Sequence, residues 1–270
     1  MKDAPIGMFD SGLGGLSVWL ELKKHLPLES YLYIADSAHI PYGDKSDDFI
    51  RTRALHIGNF LNEQGAKAVV IACNTATAAA VNLLRESLDI PIIAMEPAVK
   101  PAATLSRTKR IGVLATAGTL ESVQFAGLLE RFASDVTVIT QPCPGLPEAV
   151  ERGDLGSPET LGLLRTFTTP LKEAQVDVVV LGCTHYPFLK NHIAKQMGSG
   201  VALIDTGEAV ARRLKQVLTN RQRLASSQGR DLKMWSSGNP DVVTKRVTRL
   251  LGQDYKVELL PELTEGISEA

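Results

Sequence analysis

Residues 68–76, AVVIACNTA, and residues 178–186, VVVLGCTHY, are two versions of one pattern: a run of β-branched residues, then a cysteine, then a small polar residue. The cysteines, at 73 and 183, stand 110 positions apart. The pattern extends on either side. IGMFDSGLGG (6–15) aligns with IGVLATAGTL (111–120), YLYIAD (31–36) with VTVITQ (136–141), and PIIAMEPAV (91–99) loosely with ALIDTGEAV (202–210). Four strand-like segments recurring in one order point to a fold built twice. A pseudo-two-fold relation between the halves would set Cys73 and Cys183 opposite one another across a cleft.

Short β-rich runs at 5–10, 31–35, 67–72, 91–94, 110–114, 135–140, 177–182, 201–204, 231–236 and 255–259 alternate with amphipathic stretches. In 46–64, Ser46 reads as an N-cap, and Phe49, Ile50, Ala54, Ile57, Phe60 and Leu61 follow at helical spacing. A second such stretch covers 119–132. Alternation of this kind predicts an α/β fold of two pseudo-symmetric lobes. Each would hold a mainly parallel sheet flanked by helices, with the active site in the inter-lobe cleft. The first lobe spans 1–97 and the second 98–208. The remainder, 209–270, has no counterpart in the repeat and is expected to complete the first lobe's sheet; within it 220–230 reads as an exposed polar loop.

Composition narrows the function classes. A net charge of −1 gives no basic field for nucleic acid. No apolar run approaches a membrane span, and the first residues, MKDAPIGMFD, lack a signal peptide's pattern. Three cysteines without a C-x-x-C argue against a disulfide framework and for free thiols in a reducing cytoplasm.

In open parallel sheets, ligands bind beyond the carboxyl ends of the strands, and the polar motifs fall there. Asp10-Ser11-Gly12 follows the first strand, and Pro41-Tyr42-Gly43 lies a short loop beyond the second. Cys73-Asn74-Thr75 follows the third. In the second half, Thr116 and nearby Thr119 follow the first strand, and Cys183-Thr184-His185-Tyr186-Pro187 the third. A helix N-terminus after each cysteine would favour thiolate over thiol. Its N–H groups, with Ser11, Asn74, Thr75 and Thr184, could hold a carboxylate. A single cysteine at a strand end is most simply an apolar filler, and Cys143 is read that way. Two at equivalent repeat positions are better read as chemistry: opposed thiols suit proton removal from one face of a carbon and delivery to the other. Asp10 could be an ordinary cap, and Tyr42 a turn residue. An acid beside one thiol and a histidine two positions from the other have a second use in moving protons. His25, His39, His56 and His192 have no supporting constellation.

Competing motifs are weak. Gly12-Leu13-Gly14-Gly15-Leu16-Ser17 has a dinucleotide-loop outline, with Asp36 near the spacing for a ribose contact, but Ser17 replaces the third glycine and Asp10 would repel a pyrophosphate. Metal-ligand spacing is lacking, and no lysine stands at these strand ends to form a pyridoxal Schiff base.

DSGLGG (10–15), PYG (41–43), ACNTA (72–76), GCTHYP (182–187) and, later, SSGNP (236–240) together resemble the glutamate racemase family of the cofactor-independent aspartate/glutamate racemase superfamily. The resemblance covers nearly the whole chain. It implies reversible interconversion of L- and D-glutamate without cofactor or metal, the D-enantiomer feeding bacterial peptidoglycan. It implies Cys73 acting on the D-enantiomer with Asp10 assisting, Cys183 acting on the L-enantiomer with His185 assisting, and Glu148 supporting His185. Substrate contacts would fall on Asp10, Ser11, Pro41, Tyr42, Gly43, Asn74, Thr75, Thr116, Thr119, Thr184 and His185. A homodimer is expected, with neither nucleic acid nor membrane as partner. Aspartate or another amino acid as substrate, and a two-lobed binder without catalysis, are the alternatives to test; a nucleotide-dependent oxidoreductase is a more distant one.

Overall fold

The computed structural model describes residues 2–229 and 232–261. Its strands are β1 (Ile6–Asp10), β2 (Tyr31–Ala35), β3 (Ala68–Ile71), β4 (Ile92–Ile93), β5 (Arg110–Ala115), β6 (Thr137–Pro142), β7 (Val178–Leu181), β8 (Ala202–Ile204), β9 (Leu232–Ser236) and β10 (Val257–Leu259). Each expected strand is present within a few residues of its expected bounds; Asp231, the expected start of the ninth, lies outside the described residues, as do Arg230 and 262–270. The strands form two sheets, ordered β10-β9-β2-β1-β3-β4 and β6-β5-β7-β8, and every pairing is parallel. Uninterrupted apolar runs such as Ala68–Ile71 and Val178–Leu181 are buried throughout, as strands covered on both faces must be.

The repeat reappears as register. The inner order β2-β1-β3-β4 is that of β6-β5-β7-β8. Ile6 stands opposite Ala68 and Ile111 opposite Val178; Val69 stands opposite Ile92 and Val179 opposite Leu203. All four pairs follow the sequence alignment. The second strand departs from it. Ile6 pairs with Tyr31, but Ile111 pairs with Val138 and not residue 136. A slip of two residues keeps every side chain on its face of the pleat, so an apolar pattern cannot reveal it.

Helices cover both sheets: α1 (Leu16–His25), α2 (Asp47–Glu63), α3 (Asn74–Ser87) and α4 (Val99–Leu105), then α5 (Ala117–Leu120), α6 (Val123–Phe132), α7 (Leu146–Glu151), α8 (Pro158–Glu173), α9 (Lys190–Met197), α10 (Gly207–Asn220) and α11 (Pro240–Leu251). Ser46 caps α2 by accepting from the Phe49 N–H. The stretch 119–132 is two helices, because Ser122 accepts from Phe125 N–H and starts α6 afresh. Alternate residues of a strand feed opposite cores: Met8 packs with Trp19 and Leu214, and Phe9 with Ile57 and Leu84. In the second sheet Leu114 packs with Leu164 and Ile193, and Val113 with Ala102 and Phe125. The described part of the chain after 206 adds β9 beside β2 and β10 beside β9, and lays α10 along α1.

Candidate active site

The strand ends of the two sheets meet at one small cavity. Its walls include Ser11, Pro41, Cys73, Asn74 and Thr75 from the first sheet's loops, and Thr119, Pro147, Cys183, Thr184 and His185 from the second's. Cys73 and Cys183 each stand two residues beyond a central strand, β3 and β7. They are 5% and 8% exposed. The free space between the walls is about 10 Å³, roughly what one water needs. That space is smaller than an amino acid.

Asp10 ends β1 and is fully buried. Its Oδ1 accepts from Ser11 N–H at 2.7 Å and Ser11 Oγ at 3.2 Å. Its Oδ2 accepts from Gly15 N–H at 2.5 Å and, across the cleft, from Thr184 Oγ1 at 3.2 Å. Burial raises its pKa, against the opposing pull of His185. Cys73 caps α3, its Sγ accepting from Ala76 N–H at 3.4 Å. The sequence leads one to expect a thiolate there. In the closed site burial, followed by the nearby Asp10 carboxylate, pushes the Cys73 thiol well above its ordinary pKa; one amide at a helix end does not offset the loss of water.

Cys183 is placed differently. A 3₁₀ turn at Tyr186–Leu189 precedes α9, so no α-helix begins at this cysteine. Its partner is His185, whose Nδ1 lies 3.5 Å from Sγ. The opposite nitrogen, Nε2, lies 2.9 Å from Oε1 of Glu151, the last residue of α7. Burial lowers the basicity of His185, but Cys183, Glu151 and Asp10 outweigh it and hold the imidazole well above its usual pKa. The resemblance places Glu148 in this supporting position, and the geometry corrects that. Glu148 lies a helical turn earlier, and its Oε2 is buried without a hydrogen-bond partner among the described residues. Glu151 also accepts from Leu13 N–H of the opposite lobe.

That contact explains two of the three glycines of DSGLGG, Gly12 and Gly14. A Cβ on Gly12 would fall 2.2 Å from Glu151 Oε1, and one on Gly14 would fall 2.5 Å from His185 Nδ1. The strip is bare so that the second lobe's acid and histidine can lie on it. The N–H groups of Leu13 and Gly15, which a pyrophosphate would need, are held by Glu151 and Asp10. This removes the dinucleotide-loop reading.

The remaining candidates divide by what they can offer. Asn74 is buried with both polar side-chain atoms unpartnered among the described residues, and it lines the cavity. Thr75 Oγ1 meets Thr116 Oγ1 at 3.0 Å and Thr119 Oγ1 at 3.2 Å across the cleft, and Thr116 Oγ1 donates to Thr119 Oγ1 at 3.0 Å. Gly43 packs against Thr116, where a Cβ would come within 3.0 Å of that side chain. The Tyr42 hydroxyl donates to Asp36 Oδ2 at 2.6 Å and is not among the groups that line the cavity. Asp36 is itself paired with Arg53 and His39; sequence reasoning left that pairing unseen. Cys143 is buried, its Sγ donating to the Gln141 carbonyl at 3.3 Å. Among the described residues no group of three His, Cys, Asp or Glu is arranged to hold a metal ion.

The arrangement is two thiols from two sheets on one closed cavity, each with its own ionisable neighbour. A family model for the Asp/Glu/Hydantoin racemases matches residues 20–214. The chain belongs to that family. Members similar to it include the glutamate racemase of Pseudomonas aeruginosa, 54% identical over 258 residues, 95% of this chain and 97% of that protein. The glutamate racemase of Pseudomonas syringae pv. tomato is 56% identical over 240 residues, 88% of this chain and 87% of its own. Among solved structures of the family, glutamate racemase isoform RacE1 of Bacillus anthracis superposes with a TM-score of 0.89 at 31% identity, covering 97% of this chain and 99% of its own. That of the Francisella tularensis glutamate racemase in complex with D-glutamate gives 0.85 at 28% identity, covering 98% and 99%.

Proposed function

We propose that this protein interconverts L- and D-glutamate by proton transfer at Cα between Cys183 and Cys73. The observation that carries the reading is the placement of both cysteines, from equivalent strand ends of two sheets, on one buried cavity. Cys183 as thiolate takes the Cα proton of L-glutamate, and the Cα–H electron pair stays on the substrate as a carbanion. The Cys73 thiol delivers its proton to the opposite face, leaving D-glutamate, a Cys183 thiol and a Cys73 thiolate. After release Cys73 takes a proton from solvent and Cys183 gives one up, which restores the first state, while D-glutamate bound before that exchange runs the transfer in reverse. An α-proton is weakly acidic, and exclusion of water from a closed cavity strengthens each hydrogen bond to the developing charge. Asp10 serves the Cys73 side; His185, held by Glu151, serves the Cys183 side. Ser11, Asn74, Thr75, Thr116, Thr119, Thr184 and the backbone of 41–43 hold the substrate's polar ends.

The wider setting belongs to the same proposal: lobes of 1–97 with 209–270 and of 98–208, a homodimer, a cytoplasmic location, and D-glutamate supplied for peptidoglycan. No helix among the described residues is long and apolar enough to cross a membrane.

The test uses purified protein and L-glutamate alone, followed by optical rotation, with L-aspartate in parallel. Racemisation of glutamate is expected. In heavy water the product should carry deuterium at Cα while early recovered substrate carries little. Fast label in both enantiomers would point to a single base, and binding without rotation to a carrier.

A further inference from the structure

We infer that Arg53 is a positioning residue for the substrate-facing segment 40–43, acting through the buried carboxylate of Asp36. This rests on the racemase reading above. The segment between β2 and α2 contains only two 3₁₀ turns, Ser37–His39 and Tyr42–Asp44. It nevertheless brings Ile40 and Pro41 to the cavity wall and Gly43 against Thr116 of the other lobe. Something other than regular hydrogen bonding has to fix it.

Asp36, at the end of β2, does so from below. It is fully buried, and side chains from Arg53, Tyr42, His39 and Ser237 converge on it. Arg53 of α2 donates from Nη2 to Oδ1 at 2.7 Å and from Nε to Oδ2 at 3.0 Å. Tyr42 donates its hydroxyl to Oδ2 at 2.6 Å, and His39 Nδ1 lies 3.0 Å from Oδ1. The residues on either side of Ile40–Pro41 are thereby tied to one carboxylate, whose orientation is set by a planar, two-point guanidinium fork. The SSGNP motif braces the same segment from the side. Ala38 donates its N–H to Ser237 Oγ at 3.1 Å, and Gly238 lies close enough that a Cβ would come within 3.3 Å of Ser37 Cβ.

A buried ion pair is a poor device for stability alone, since apolar residues of equal volume often do as well. Its advantage is a single geometry. Here that geometry decides where the backbone of 41–43 stands relative to Cys73.

The experiment is steady-state racemisation by Arg53→Met in both directions, with primary isotope effects from Cα-deuterated substrates. KM is expected to rise tenfold or more for each enantiomer, with kcat within threefold and isotope effects unchanged, because binding is loosened and proton transfer is not. Arg53→Lys should fall between. The double variant Asp36→Asn/Arg53→Met, which leaves no unpaired charge, should recover part of the loss. Should Arg53→Met fail to fold, Tyr42→Phe removes one tie and should raise KM in the same way. A folded Arg53→Met or Tyr42→Phe with wild-type KM values, or one that loses kcat alone, overturns the inference. Wild-type activity is measured first: its absence would sink the racemase reading, whereas wild-type activity with unmoved KM in the variants sinks only this one.

Discussion

Glu151 holds His185 from the side away from Cys183: Oε1 of the acid lies 2.9 Å from Nε2, while Nδ1 lies 3.5 Å from the sulfur. The same oxygen accepts from Leu13 N–H of the other sheet's loop, so one carboxylate joins the glycine-rich loop to the imidazole. Glu151→Gln should lower kcat by roughly ten- to a hundredfold, less than the ~10²–10⁴-fold of a group that itself moves the proton. Glu148→Gln should stay within threefold. Glu151 helps hold His185 above its usual pKa, against the pull of burial and together with Cys183 and Asp10. Loss of its charge lowers that pKa, so any alkaline limb that His185 contributes to kcat/KM should move to lower pH. A limb that stays in place would show the acid does not govern the imidazole's charge.

Cysteine reactivity gives a second check. Burial, then the Asp10 carboxylate, pushes the Cys73 thiol well up, and burial does the same to Cys143. Carboxamidomethylation of Cys73, followed by mass spectrometry, should still be accelerating above pH 9, and glutamate should slow it. Asp10→Asn removes a like charge and should move the Cys73 profile to lower pH. Cys143→Ala should keep kcat within about twofold. Inactivation that tracked Cys143 labelling would contradict the roles proposed for the other two thiols.

What could be read from the chain divides along physical lines. Strands were legible because β-branched runs such as VVVL have few alternatives inside a covered parallel sheet, and the two cysteines because the repeat lent each the other's weight. Glu151 was missed for Glu148 because both acids lie on one six-residue helix, and its rotation against the cleft depends on tertiary packing. The Asp36–Arg53 fork joins residues 17 apart through a loop whose course no local pattern dictates. For Cys73 the helix end that favours a thiolate is visible in sequence, whereas the depth of burial that pushes its pKa up is not.

A stability prediction comes from Asp177, just before β7. It accepts from Ser106 Oγ at 2.6 Å, Arg107 N–H at 2.7 Å, Thr108 N–H at 3.0 Å and Thr108 Oγ1 at 2.9 Å. Burial opposes its charge, but these bonds bring its pKa down to about 2. A folded pKa below the unfolded one means the stabilisation is present above the unfolded value, near 3.8, and is lost as pH falls towards 2. Asp177→Asn should cost about 1–3 kcal/mol at pH 7. Urea midpoints at pH 7 and at pH 2.5 should show the gap between variant and wild type shrinking in acid. An undiminished gap would assign the effect to shape and not to charge.

The assisting groups should divide by direction. Asp10 leaves the same strand-end cluster as Cys73, and His185 contacts Cys183 directly. Asp10→Asn should impair proton removal from D-glutamate most, and His185→Asn removal from L-glutamate. The ratio of kcat/KM values cannot show this, because an equilibrium constant of unity between enantiomers ties the two directions together. Primary isotope effects can, since each reports how far its own proton transfer limits turnover. The effect with Cα-deuterated D-glutamate should rise in Asp10→Asn, and that with L-glutamate in His185→Asn. Thr184 Oγ1 spans the cleft to Asp10, so Thr184→Val tests whether the sides are insulated: a rise confined to the D-enantiomer is expected. Equal rises for both enantiomers in all three variants would mean that these residues hold the shape of the site without serving one thiol or the other.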